Sequence, residues 1–116
     1  MAQQPALLTG KLRGEPPEVF DGDWTKSKTY KQQFCVYRYM NPNNEIMATP
    51  YYCIMQHLSW IRGPLVDDWK DDQIQDLVDK TTQAENPVAR GSEDLWTDYM
   101  TAFDDAFTDT TRRQTA

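Results

Sequence analysis

Cys53 and His57 come nearer than any other pair in this chain to a catalytic pattern. They are four residues apart in a stretch that reads as helix, so both side chains fall on one face and a thiolate–imidazole pair is geometrically conceivable. Such a nucleophile also needs a glycine-rich elbow or oxyanion donors, and neither accompanies it. The pair therefore reads as a packed thiol beside a partly exposed imidazole. Cys35 raises the count of possible zinc ligands to three, but structural zinc sites take four, drawn from short recurring spacings. No metal or other cofactor is expected.

The carboxylates give a similar result. Asp67-Asp68, Asp71-Asp72 and Asp104-Asp105 are paired in sequence, yet neighbours on a helix point about 100° apart, and these flank apolar positions where a solvated face belongs. Asp21-Gly22 lacks the Thr or Ser that an aspartic-protease triplet places between them. No G-x-x-x-x-G-K-[ST] loop is present to cradle a phosphate. The residues point to a protein without catalytic chemistry.

The elements that hold these side chains are legible from periodicity and caps. Residues 1–19 carry Pro5, Gly10, Gly14, Pro16 and Pro17 without an apolar period and should be extended or loose, with Val19 and Phe20 the first able to dock on a core. Asp21-Gly22 turns the chain and Asp23 caps a first helix over 24–40, whose Tyr30, Phe34 and Tyr37 form one stripe. Asn41-Pro42-Asn43-Asn44 stops it. A second helix runs from a Thr49 cap and Pro50 to the Gly63-Pro64 terminator. Tyr51, Ile54, Met55, Leu58 and Ile61 make its main face, and Cys53 and Trp60 lie near the other, which marks it as central and buried.

A third helix is expected from Pro64, with Leu65, Val66 and Trp69 inward. A one-residue slip then brings in Ile74, Leu77 and Val78 and suggests a kink near residues 71–73. Residues 81–91 read as a polar loop. The last clear helix starts at a Ser92 cap with Glu93 and Asp94 in its first turn. Its Trp96, Tyr99, Met100, Phe103, Ala106 and Phe107 keep helical spacing throughout. Asp109 looks like the cap of a further, unfinished helix. The fold class expected is all-α, a compact bundle of four to five helices behind an extended N-terminal segment. The expected core is Phe20, Phe34, Tyr37, Ile54, Leu58, Trp69, Trp96, Phe103 and Phe107.

Composition narrows the functional classes. The 116 residues suit one domain and one core. Acidic residues outnumber basic ones 18 to 12, a net charge of −6 that repels phosphate backbones, and the Arg112-Arg113 pair is too small to offset it. Direct nucleic-acid binding is not expected from this domain. No apolar run is long enough to span a bilayer, no secretory signal opens the chain, and two cysteines make no disulfide framework, so a reducing cytoplasmic setting is the default. Four Trp and six Tyr are a surplus. Trp24, Tyr52 and Trp60 lie off the main stripes; they pack around Val19 and Phe20 as a second layer, or they line a groove for a partner.

Three stretches, taken in order and spacing, carry a resemblance: PPEVFDGD at 16–23, YYCIMQHLSWIRGPLVDDW at 51–69 and LWTDYMTAFDDAFTD at 95–109. Together they resemble the capsid segment of Gag polyproteins from gypsy-class long-terminal-repeat retrotransposons, over roughly 16–111. The resemblance implies that 20–116 is a capsid N-terminal lobe, truncated before a C-terminal lobe, which contributes lattice contacts to an intracellular virus-like particle. Its partner would then be itself. The Cys-Cys-His-Cys zinc knuckle of Gag is absent from these residues. A domesticated relative, Arc, is similar in lobe architecture and holds short peptides, which keeps a peptide-binding interaction module as the alternative. A generic helical adaptor is the third class.

Overall fold

The computed structural model describes residues 14–107. The expected cap at Asp109, the Arg112-Arg113 pair and residues 1–13 of the N-terminal segment lie outside them. A 3₁₀ turn, Trp24–Lys26, leads into α1 (Ser27–Tyr39), followed by α2 (Glu45–Ala48), α3 (Pro50–Ser59), α4 (Asp67–Thr82) and α5 (Glu93–Ala106). Among the described residues the architecture is all-α, and the strand-like pairing is one isolated parallel bridge between Phe20 and Ile61.

Local chemistry sets each boundary. The Asp23 carboxylate accepts from the Thr25 backbone N–H and hydroxyl and starts the 3₁₀ turn. α1 then buries Tyr30, Phe34 and Tyr37. At its end the Asn41 side chain donates to the Tyr37 carbonyl at 2.7 Å. The segment after α1 does more than stop a helix. Asn44 Oδ1 accepts from the backbone N–H groups of Ile46 and Met47 and caps α2, whose Met47 is buried in the core.

α3 is central. Ile54 and Leu58 face one group of buried side chains that includes Phe20, Tyr30, Tyr99 and Phe103, while Cys53 faces a second with Phe34, Tyr37 and Met47. Trp60 and Trp96, both half-buried, pack against both groups and join them. Thr49 occupies the N-cap position of α3 without a side-chain hydrogen bond, and Pro50 opens the helix.

The corner after α3 receives the N-terminal segment. Phe20 N–H donates to the Trp60 carbonyl at 2.9 Å, and Arg62 N–H donates to the Phe20 carbonyl at 3.0 Å. This bridge seats the Phe20 ring on Phe103 and Phe107, with centroids 5.5 and 5.0 Å away. Gly22 has φ +99°, and a Cβ there would lie 2.7 Å from Val66 Cγ1. Only glycine lets the two backbones approach so closely.

Three expectations fail in this half of the molecule. α4 starts at Asp67 instead of Pro64, because Gly63 turns the chain first: its carbonyl accepts from Val66 and Asp67 N–H. In that turn Val66 is buried beneath Gly22 while Leu65 is 76% exposed, so Leu65 is not inward. α4 runs unbroken through 71–73; it buries only Leu77 fully and keeps Trp69, Ile74 and Val78 half-buried, with Trp69 and Ile74 packed against the core, so a slip in the apolar pattern needs no kink. In α5, Leu95, Tyr99 and Phe103 are buried and Ala106 is exposed. The Ser92 hydroxyl accepts from Asp94 N–H and begins that helix.

Candidate functional site

His57 sits at the centre of the molecule. It is fully buried, contrary to the partly exposed imidazole expected, because the ring lies on the side of α3 that both core groups share. Its Nδ1 is 2.6 Å from the Tyr99 hydroxyl, and its backbone carbonyl accepts from the Tyr30 hydroxyl, also at 2.6 Å. Burial raises the pKa of the Tyr99 phenol well above its ordinary value and pushes the His57 imidazole down to about 3. The Tyr99 phenol and the neutral imidazole share one hydrogen bond there, whose direction follows the imidazole tautomer. Nε2 has no hydrogen-bond partner; the rings of Tyr30 and Phe34 stand at 4.7 Å and that of Phe103 at 5.2 Å, all steeply tilted.

This geometry bears directly on the Cys53–His57 pair. Burial pushes the Cys53 thiol up to about 12. A nucleophilic pair requires the reverse, a depressed thiol beside an imidazole ready to take its proton. Cys35 is half-buried with its thiol raised, again by burial. Among the described residues no group of three or more His, Cys, Asp or Glu side chains converges as a metal site would require. The carboxylates of Asp67, Asp68, Asp71, Asp72, Asp104 and Asp105 are on exposed residues, and Asp104 pairs with Lys31 at 2.9 Å.

The off-stripe aromatics have separate neighbours: Tyr52 lies in the first turn of α3 and Trp60 at its C-terminal end, while Trp24 is on the 3₁₀ turn. Trp60 packs its ring against Phe34 and Tyr37. Exposed Tyr52 meets Tyr51 edge-on, and the Arg90 guanidinium lies over the Tyr51 ring and donates to the Tyr52 hydroxyl at 3.2 Å. Trp24 is exposed on the 3₁₀ turn. Of the expected core, Phe20, Phe34, Tyr37, Ile54, Leu58, Phe103 and Phe107 are buried, whereas Trp69 and Trp96 are half-buried at its margin. The Trp96 ring also carries the Arg38 guanidinium 4.7 Å from its centroid.

One concavity was not anticipated. A cleft of about 420 Å³ between α4 and α5 has buried Ile54, Leu77, Leu95 and Tyr99 in its lining, with Asp72, Asp76, Asp98 and Lys80 at its rim. Lys80 reaches Asp76 at 3.0 Å and Asp98 at 3.7 Å, so part of the rim charge is paired across the opening. The signal in the sequence is Asp72, Asp76 and Lys80 at four-residue spacing, which marks one edge of α4. No family model, curated protein or solved structure matches the chain. No helix among the described residues is long and apolar enough to cross a membrane.

Proposed function

We propose that this chain is a structural domain of the Gag capsid type, an N-terminal lobe that contributes lattice contacts to the shell of an intracellular retrotransposon particle and performs no catalysis of its own. The observation that carries the reading is the meeting of the three stretches on which the resemblance rests. Phe20 and Gly22 from the first lie on Ile61 and Val66 of the second, while Phe20 and Trp69 both pack on Phe107 of the third, with centroids 5.0 Å apart in each case. The residues whose order and spacing suggest the family are thus the ones that tie the domain together, which supports reading them as one unit. The buried, neutral Cys53–His57 pair supports a role without covalent chemistry.

Shells are built from many weak contacts that act together when linked in one chain or array. The open reading frame that contains these 116 residues, expressed whole and supplied with nucleic acid, is expected to form closed particles in electron micrographs. Raised salt should favour them, because it screens the repulsion of a chain of net charge −6. The 116 residues by themselves should stay monomeric or weakly dimeric in light scattering. Discrete shells from the short chain, or none from the whole frame at any salt, would overturn the reading.

The alternative, a domesticated module that binds short peptides, draws support from the cleft between α4 and α5 more than from Trp24, Tyr52 and Trp60, because an apolar lining inside an acidic rim suits a short apolar segment bearing Lys or Arg. Saturable chemical-shift changes at Leu77 and Tyr99 on titration with such a peptide would favour it.

A further inference from the structure

The face of α1 opposite its buried stripe is unusual for so acidic a chain. Gln32, Val36 and Tyr39 follow one another at i, i+4 and i+7, flanked by Gln33 and Met40, and none of the five is charged. Val36 is 58% and Tyr39 74% exposed. Uncharged surface containing Tyr and Met is the composition of an interface centre, from which charged side chains are depleted. A shallow recess lined by Glu15, Pro16, Gln32, Gln33 and Val36 adjoins it, and Glu18 N–H donates to Gln33 Oε1 at 3.3 Å, which holds the N-terminal segment along one wall.

Charge says what can cover this face. Residues 67–107 carry twelve acidic and three basic side chains, whereas residues 14–66 carry five of each. Two copies approaching through α4 and α5 repel; two copies approaching through α1 do not. The stripe also fits itself. Along the helix Tyr39 lies about 10 Å from Gln32 at 1.5 Å per residue, with Val36 near the midpoint. An antiparallel pair of α1 helices related by a two-fold axis at Val36 therefore sets each Tyr39 over the recess of its partner, in the self-complementary manner of isologous contacts.

We propose that the Gln32–Val36–Tyr39 stripe is a two-fold contact with a second copy of this chain. The inference deepens the capsid reading and rests on it for its purpose, though not for its geometry. One helix face covers less than the roughly 800 Å² per partner of a stable complex, so the contact is weak and becomes useful in an array.

Sedimentation of the full chain up to ~1 mM, where a Kd of that order is populated, should show reversible dimers whose affinity changes little with salt, because the surfaces that meet are charge-balanced. Tyr39→Glu and Val36→Asp should each weaken the dimer by at least about tenfold, one decade per 1.4 kcal/mol, with unchanged circular dichroism and melting. Leu65→Gln, at an equally exposed apolar residue beside Asp67 and Asp68, should change nothing. A chain that stays monomeric at ~1 mM, or a dimer that ignores both α1 variants, overturns the proposal. Failure is separable from failure of the capsid reading: shells from the whole open reading frame with a strictly monomeric domain sink only the α1 contact, and an α1-dependent dimer without shells sinks only the capsid.

Discussion

At the scale of single residues, the buried imidazole sets the response to acid. The folded protein keeps His57 neutral down to about 3, while the unfolded chain takes up a proton below the ordinary value of 6.5. Between those limits the unfolded state binds more protons, so stability falls as pH is lowered through that window, by up to about 1.4 kcal/mol per pH unit from this group. Thermal melts from pH 7 to 3 should show that slope. His57→Phe combined with Tyr99→Phe, which removes the imidazole without orphaning the phenol, should flatten it relative to the parent; an unchanged slope would mean that the imidazole is not held neutral. Phe103 is the other residue on which much depends. It is 1% exposed and meets Phe20, Tyr30, His57, Trp69 and Phe107. Phe103→Ala should cost about 3–5 kcal/mol, much of the stability of a small domain, and a melt within a few degrees of the parent would contradict this packing.

At the scale of elements, the corner between α3 and α4 depends on glycine. Gly22→Ala places a methyl group 2.7 Å from Val66 Cγ1 at φ +99°, and should destabilise by about 1–3 kcal/mol. Gly91→Ala, with nothing within 4 Å of the added atom, should be close to neutral. Denaturant melts of the two variants check the contrast. The same corner shows where sequence reading stopped. α5 was legible because its Ser92 cap and its apolar spacing are both local signals, and α1 likewise from Tyr30, Phe34 and Tyr37. Whether Leu65 or Val66 turns inward was not legible, since a backbone approach from Gly22 decides it, more than 40 residues away in the chain. The burial of His57 was hidden for a like reason: its partner hydroxyl comes from Tyr99, 42 residues on. α2 was hidden because Asn44 reads as a turn residue until Met47 is found beneath it. The α4–α5 cleft required two helices to be set side by side, which periodicity within each does not reveal.

At the scale of the whole molecule, the separation of charge between the halves has a cost within one copy. Twelve carboxylates on 67–107 face only three basic side chains there, and the ion pairs Lys31–Asp104, Arg38–Glu93, Lys80–Asp76 and Lys80–Asp98 that relieve them are partly exposed and worth little each. Moderate salt should therefore raise the melting temperature at neutral pH, as it screens repulsion more than it weakens attraction; a fall with salt would show the exposed pairs to dominate. The Phe20 bridge has a further consequence, for the order in which the protein is made. Phe20 leaves the ribosome early, but Ile61, Phe103 and Phe107, the surface it needs, are translated later. At about 5–20 residues per second, several seconds pass with that aromatic ring unsheltered. Glu15, Glu18, Asp21 and Asp23 flank Val19 and Phe20 in the sequence, and flanking charge of this kind disfavours association of an exposed apolar segment with other chains. Nascent chains stalled before α5 has emerged should accordingly be cut by protease near Phe20, and chains released after it should not.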